Sequence, residues 1–178
     1  MLEKVMIIGC PGAGKSTFAR KLSKKNDLPL YYLDMLWHKS DKTTVEREAF
    51  DEKLIEILSK DKWIIDGNYA RTLEMRIKLC DTVFLLDFPT ELCLTGAQSR
   101  IGKPREDMPW IETEFDEEFK QWIIDFPDNE LPGIYTLLDK YKNEKSIFVF
   151  YSRDELDDYL LNFKYNNTNI YESEALYV

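Results

Sequence analysis

Gly9-Cys10-Pro11-Gly12-Ala13-Gly14-Lys15-Ser16 matches the pattern G-x-x-x-x-G-K-[ST] at every fixed position. The chemistry behind such a run is definite. Glycines let the backbone wrap closely around phosphate oxygens, so that successive N–H groups point inward as an anion nest. A helix opening at Lys15 adds the positive end of its dipole. Lys15 then reaches the β- and γ-phosphates of a nucleotide, and the Ser16 hydroxyl becomes a Mg²⁺ ligand. Average composition yields the pattern by chance on the order of 1% of the time in a chain this long. Residues 4–9 read as a strand and residues 15–24 as a helix, which is the context the motif requires. ATP and Mg²⁺ are therefore the expected cofactors. Gly9, Cys10, Pro11, Gly12, Ala13, Gly14, Lys15, Ser16 and Thr17 are expected to hold the donor.

Outward from this loop, short apolar runs alternate with helical patterns. Strands are predicted over residues 4–9, 30–33, 63–66, 82–87 and 146–151. The first, third and fourth are nearly continuous apolar runs, as in parallel strands covered on both faces. Helices are predicted over residues 15–24, 43–59, 91–100, 114–126 and 131–142. Alternation of this kind argues for an α/β fold with one doubly wound parallel sheet. Phe115, Phe119, Trp122 and Phe126 fall at helical spacing and read as a core-facing stripe rather than a platform for a base. Residues 101–109, with Gly102, Pro104 and Pro109 among charged residues, read as an exposed loop. One kinase-sized domain is expected over residues 1–163, with residues 164–178 as a polar tail.

Composition narrows the function. The 178 residues carry 24 Lys and Arg against 33 Asp and Glu, a formal charge of −9, which disfavours direct binding of nucleic acid or anionic lipid. No apolar run approaches the roughly 18 residues that cross a bilayer. The opening residues lack a small-residue cleavage site. Cys10, Cys80 and Cys93 form no metal-ligand spacing, and a single histidine poorly supplies zinc chemistry or a hydrolase triad. A reducing cytoplasm, a monomer and no membrane partner are the expectations. The N-K-x-D motif of GTPases and the L-S-G-G-Q of transporters are absent, and the chain is short for a helicase. A small P-loop kinase remains.

Several stretches together carry a resemblance: the phosphate loop, Tyr32-Leu33-Asp34 with Trp37, Trp63-Ile64-Ile65-Asp66-Gly67-Asn68-Tyr69, Leu85-Leu86-Asp87-Phe88-Pro89 and Arg105-Glu106-Asp107-Met108-Pro109. Over residues 3–160 the chain resembles the adenylate-kinase-related family labelled "topology modulation protein", itself similar to nucleoside monophosphate and shikimate kinases. The resemblance implies a three-layer P-loop NTPase fold, with a five-stranded parallel sheet in the order 2-3-1-4-5. It implies ATP-dependent phosphoryl transfer to a small acceptor, with a nucleoside monophosphate first. Alternatives are a hydroxylated metabolite, as in shikimate or gluconate kinases, and an ATP-switched regulator that affects DNA topology indirectly.

Candidate roles follow. Asp66, at a strand end beside the loop, is expected to set Mg²⁺ with Ser16, although Asp66-Gly67-Asn68 is also good turn chemistry. Asp34 is expected to hold or deprotonate an acceptor hydroxyl, or else to cap a helix. An acceptor segment over residues 34–62 and substrate contacts from Asp34, Trp37, Asp66, Asn68, Arg71 and Arg76 are expected, the arginines as clamps on an anion or in surface ion pairs. The resemblance makes Arg100 the second arginine of an R-x-x-x-R pattern whose first position is Gly96. Arg100, Lys103 and Arg105 are expected in a short lid over residues 100–110, where Lys15, Arg100 and Arg105 stabilise the moving phosphoryl. Asp87 reads as a strand-end support, His38 as a poor candidate for catalysis, and Cys10 as a thiol whose alkylation blocks ATP.

Overall fold

The computed structural model describes residues 2–172, with side chains through residue 162. The elements run β1 (Lys4–Gly9), α1 (Lys15–Asn26), β2 (Leu30–Tyr32), α2 (Leu33–Trp37), α3 (Arg47–Leu58), β3 (Trp63–Asp66), α4 (Ala70–Leu79), β4 (Thr82–Leu86), α5 (Thr90–Gln98), α6 (Glu117–Asn129), α7 (Leu131–Tyr141), β5 (Ser146–Phe150) and α8 (Arg153–Glu172). The five strands form one sheet in the order β2-β3-β1-β4-β5. Every pairing is parallel, as the sequence led us to expect. Residues 5–8, 63–65 and 83–86 of the three central strands are wholly buried. Their unbroken apolar sequence is what burial on both faces demands.

The register fixes the site. Ile7 lies opposite Asp66 and Gly9 opposite Leu86, so the ends of β1, β3 and β4 open on one edge of the sheet. One aromatic cluster ties α1 and α8 to the sheet: the Phe18 ring is 5.1 Å from that of Phe84, and Tyr159 is 5.4 Å from Phe150. Helix α7 packs against both α4 and α6.

Three boundaries differ from the sequence reading for a clear local reason. Strand β2 ends at Tyr32, because Leu33 turns inward as the first residue of α2 and packs under Gly67. Helix α3 starts at Arg47 rather than at residue 43. Asp41 accepts hydrogen bonds from the Thr43 N–H and hydroxyl, and this Asx turn, with Lys42 at φ 68°, competes with the helix. Helix α6 starts at Glu117, where Asp116 caps it by accepting from the Phe119 N–H at 2.8 Å. Helix α4 escaped prediction altogether. Its buried face mixes Leu73 and Ile77 with Thr72 and Arg76, so the apolar period is diluted. Helix α8 runs on to Glu172, into the segment expected to be a polar tail; residues 173–178 lie outside the described residues.

Helix α5 lies directly against the phosphate loop, backbone to backbone. A Cβ on Gly96 would stand 2.1 Å from the Gly12 carbonyl oxygen, and a Cβ on Gly12 would stand 1.9 Å from the Cys93 oxygen. Position 96 therefore has no room for the arginine of an R-x-x-x-R pattern. Gly96→Ala is expected to destabilise the fold by about 1–3 kcal/mol through overpacking. Gly133→Ala, at an open position of α7 with nothing near a Cβ, should be neutral or stabilising by up to about 1 kcal/mol. Urea midpoints of the two variants check this.

Candidate active site

The open edge of the sheet forms a cleft of about 1060 Å³. That volume is at the upper end of the usual range for small-molecule sites, enough for a donor and an acceptor together. Pro11 to Thr17, Asp34, Trp37, Asp66, Asn68, Arg100 and Arg105 all line it. The two glycines that shape the loop adopt left-handed backbone, Gly12 at φ 86° and Gly14 at φ 98°. Lys15 folds back, and its Nζ donates to the carbonyls of Gly9 at 2.8 Å and Cys10 at 3.1 Å. Burial holds its pKa below the usual lysine value, and the nearby Asp66 charge opposes that fall.

Ser16 is the meeting point of the site. Its Oγ lies 2.5 Å from Asp66 Oδ2 and 2.9 Å from Asp107 Oδ2. Asp66 is only 6% exposed, and its other oxygen, Oδ1, is buried without a hydrogen-bond partner. Burial pushes the Asp66 pKa up to about 6, with Lys15 and the Ser16 hydrogen bond working against the rise. Asp107 was quoted in the sequence but given no role there. Arg105 grips it, Nη2 to Oδ2 at 2.6 Å and Nε to Oδ1 at 3.3 Å, and reaches Glu112 Oε2 at 2.7 Å with Nη1. The Gly102 N–H donates to the Glu112 carbonyl at 2.7 Å and closes the loop between them. Arg100 also faces the cleft; burial, then the Arg105 charge, depresses its pKa. Hydroxyl, paired carboxylates and an orphaned buried carboxylate oxygen fit a hard divalent cation.

Farther along the cleft, Asp34 occupies the first turn of α2, just past β2, and its Oδ1 accepts from the Tyr69 hydroxyl at 2.8 Å. Trp37 stands edge-on to Phe50 at 5.5 Å, and Phe50 stacks on Tyr69 at 5.3 Å. His38 and Trp110 meet edge to face at 5.0 Å, both lining the cleft, and His38 Nδ1 is buried without a partner.

Three expected binding groups have other work. Arg76 is fully buried and donates to the carbonyls of Gly67, Asn68 and Tyr69, so it shapes the turn and does not clamp an acceptor. Arg71 lies on the surface in a two-pronged pair with Asp51, at 2.8 and 2.6 Å, and does not line the cleft. The Asn68 amide both accepts from the Gly9 N–H and donates to the Gly9 carbonyl, each at 2.9 Å, and so extends the β1–β3 pairing into the loop. The Cys10 thiol is 4% exposed and turned towards Ile123 and Cys93, away from the cleft. That placement removes the expected route from alkylation to ATP blockade. Asp87 accepts from the Tyr135 hydroxyl at 2.6 Å and supports α7.

The aromatic stripe divides. Phe126 is buried in the core, while Phe115, Phe119 and Trp122 line the cleft. Sequence reasoning missed these three together with Tyr69, Asp107, Trp110 and Glu112. Periodicity identifies a face of a helix and leaves open what that face meets.

Fold and phosphate loop together define a P-loop α/β domain. Among solved structures, the chain is similar to shikimate kinase from Bacteroides thetaiotaomicron, with a TM-score of 0.56 and 15% sequence identity over 94% of this chain and 99% of that one. No protein-family model matches the sequence, and no curated protein matches it. Among the described residues, no helix is long and apolar enough to cross a membrane.

The elevated Asp66 pKa sets a pH dependence. Between about 4 and 6 the native state binds a proton that the unfolded state releases, so stability falls as pH rises through that window. At pH 7 the buried charge costs on the order of 3 kcal/mol relative to a solvated aspartate. In metal-free buffer, Asp66→Asn should therefore be more stable than the parent at pH 7, with the gap narrowing at pH 5. Urea unfolding at the two pH values measures it.

Proposed function

We propose that the protein is an ATP- and Mg²⁺-dependent small-molecule kinase. One observation carries this reading: the phosphate loop with Lys15 and Ser16 opens on the same cleft as Asp34 and the two lid arginines, Arg100 and Arg105. Backbone amides of residues 11–16 and Lys15 would hold the donor phosphates, Lys15 leaving its carbonyl partners to do so. Ser16 and Asp66 would hold Mg²⁺, which when bound neutralises charge on the β- and γ-phosphates. Phe115, Phe119 and Trp122 offer the donor's base an apolar wall. Arg100 and Arg105 would face the migrating phosphoryl, and positioning with charge stabilisation supplies most of the acceleration in this chemistry.

For the acceptor, the geometry favours a hydroxyl over the nucleoside monophosphate expected from the sequence. Arg71 and Arg76, the two groups expected to clamp an anion, are committed elsewhere. What faces the acceptor end is a carboxylate amid aromatic rings, which repels an anion and suits a neutral ring-bearing alcohol. Asp34, oriented by Tyr69, would take the hydroxyl proton as the oxygen attacks the γ-phosphorus and ADP leaves. The monophosphate reading retains cations along the cleft, among them Arg20, Lys21 and Lys42. The alternative from a different class is an ATP-switched regulator that affects DNA topology indirectly. A net charge of −9 weighs against direct DNA contact, and absence of DNA retardation at low salt would remove that contact.

An acceptor screen that follows ADP release tests the reading, with alcohols and their phosphate esters as matched pairs. Lys15→Ala should lose ATP binding and turnover together. Asp34→Asn should retain ATP binding and lose turnover about 10²–10⁴-fold. Calorimetry that detects no heat from ATP or GTP with Mg²⁺ overturns the proposal.

A further inference from the structure

We propose that Asp107 is the third protein group of the divalent-cation site, so that the cation fastens the lid loop to the phosphate loop. This rests on the reading of Ser16 and Asp66 as cation ligands, and adds to it a ligand from the lid that neither the phosphate-loop motif nor the strand-end position of Asp66 supplies.

The argument starts from a count of hydrogens. A serine hydroxyl donates one. Ser16 Oγ has two carboxylate oxygens within hydrogen-bond distance, Asp66 Oδ2 and Asp107 Oδ2. One hydroxyl hydrogen serves only one of them, and the other contact sets a carboxylate oxygen against the hydroxyl oxygen. Asp66 Oδ1 adds a further acceptor that is buried and unpaired. The cluster therefore has a surplus of acceptors and too few donors, and a cation corrects that. All the atoms concerned are oxygens, the preference of Mg²⁺ and Mn²⁺. Three protein ligands leave positions for water and for phosphate oxygens.

Asp107 did not come to this place by its surroundings in the chain, since 91 residues separate it from Ser16. It is 7% exposed, although it belongs to a loop of polar and proline residues. Arg105 approaches both its oxygens, and Arg20 lies 3.9 Å from Oδ1. Those cations orient the carboxylate, the task of groups behind a metal ligand. Glu112 serves as an internal comparison, since it pairs with Arg105 from the same loop and makes no contact with Ser16.

The test uses Mn²⁺ alone, followed by electron paramagnetic resonance, with no nucleotide present. The parent protein should bind one Mn²⁺, Asp107→Asn should weaken it about tenfold or more, and Glu112→Gln should change it less than about threefold. Mn²⁺ should also slow tryptic cleavage after Arg100 and Arg105 in the parent and in Glu112→Gln, and fail to do so in Asp107→Asn. Circular dichroism confirms that the asparagine variant is folded. Unchanged Mn²⁺ affinity in Asp107→Asn, or no Mn²⁺ binding by the parent, overturns the proposal. If ATP binding in EDTA drops in both variants while Mn²⁺ affinity holds, Asp107 only positions Arg105, and the proposal is also overturned. Mn²⁺ binding that depends on Asp107 in a protein that ignores ATP sustains the cation site and defeats the kinase reading instead.

Discussion

The hydrogen-bond register of β1 between β3 and β4 is the constraint on which the site depends. Parallel strands end on the same side, so the register that sets Ile7 against Asp66 also delivers Gly9 and Asp66 to one edge. The chain leaves β1 through Gly9, at φ 135°, where a Cβ would come within 2.3 Å of the Leu86 oxygen. Only a residue without a side chain passes there. The loop then lies on α5 through the contact of Gly12 with Gly96. Loop, Ser16 and strand-end carboxylate are thus held by backbone contacts, which leave little freedom to adjust, as preorganised binding requires.

Around that frame the charged side chains divide between shape and chemistry. Arg76 has its pKa pushed down to about 9 by burial, yet it makes no ion pair through the hydrogen bonds that hold it; its partners are three carbonyls of one turn. That turn places Tyr69, at φ 43°, and so aims the phenol at Asp34. A buried cation here acts on Asp34 through backbone and one tyrosine. Arg105 and Arg100 do the opposite. They come from a loop, face the cleft, and are balanced by Asp107 and Glu112.

The sequence made the phosphate loop, the parallel sheet and the strand-end position of Asp66 legible, because each depends on contacts within a few residues or on runs of apolar side chains. It misled where a residue's partner follows from no local periodicity or motif. Arg71 and Arg76 look alike in a string of letters; one meets Asp51 on the surface and the other is enclosed by the turn it shapes. Position 96 looked like a lost arginine, and the packing of α5 makes it a required glycine. Phe126 and Trp122 share a helical period, but only the first enters the core.

What the sequence alone determined was the phosphate-loop motif: a glycine-rich turn between an apolar strand and a helix, whose shape is set by residues next to one another in the chain. What only the tertiary structure decided was the pairing across distance. The meeting of Asp107 with Ser16, the orientation of Asp34 by Tyr69 and the pairing of Arg71 with Asp51 all depend on which segments the fold brings together. No spacing along the chain encodes those pairings, because their energy comes from burial and charge neutralisation that exist only once the fold has closed.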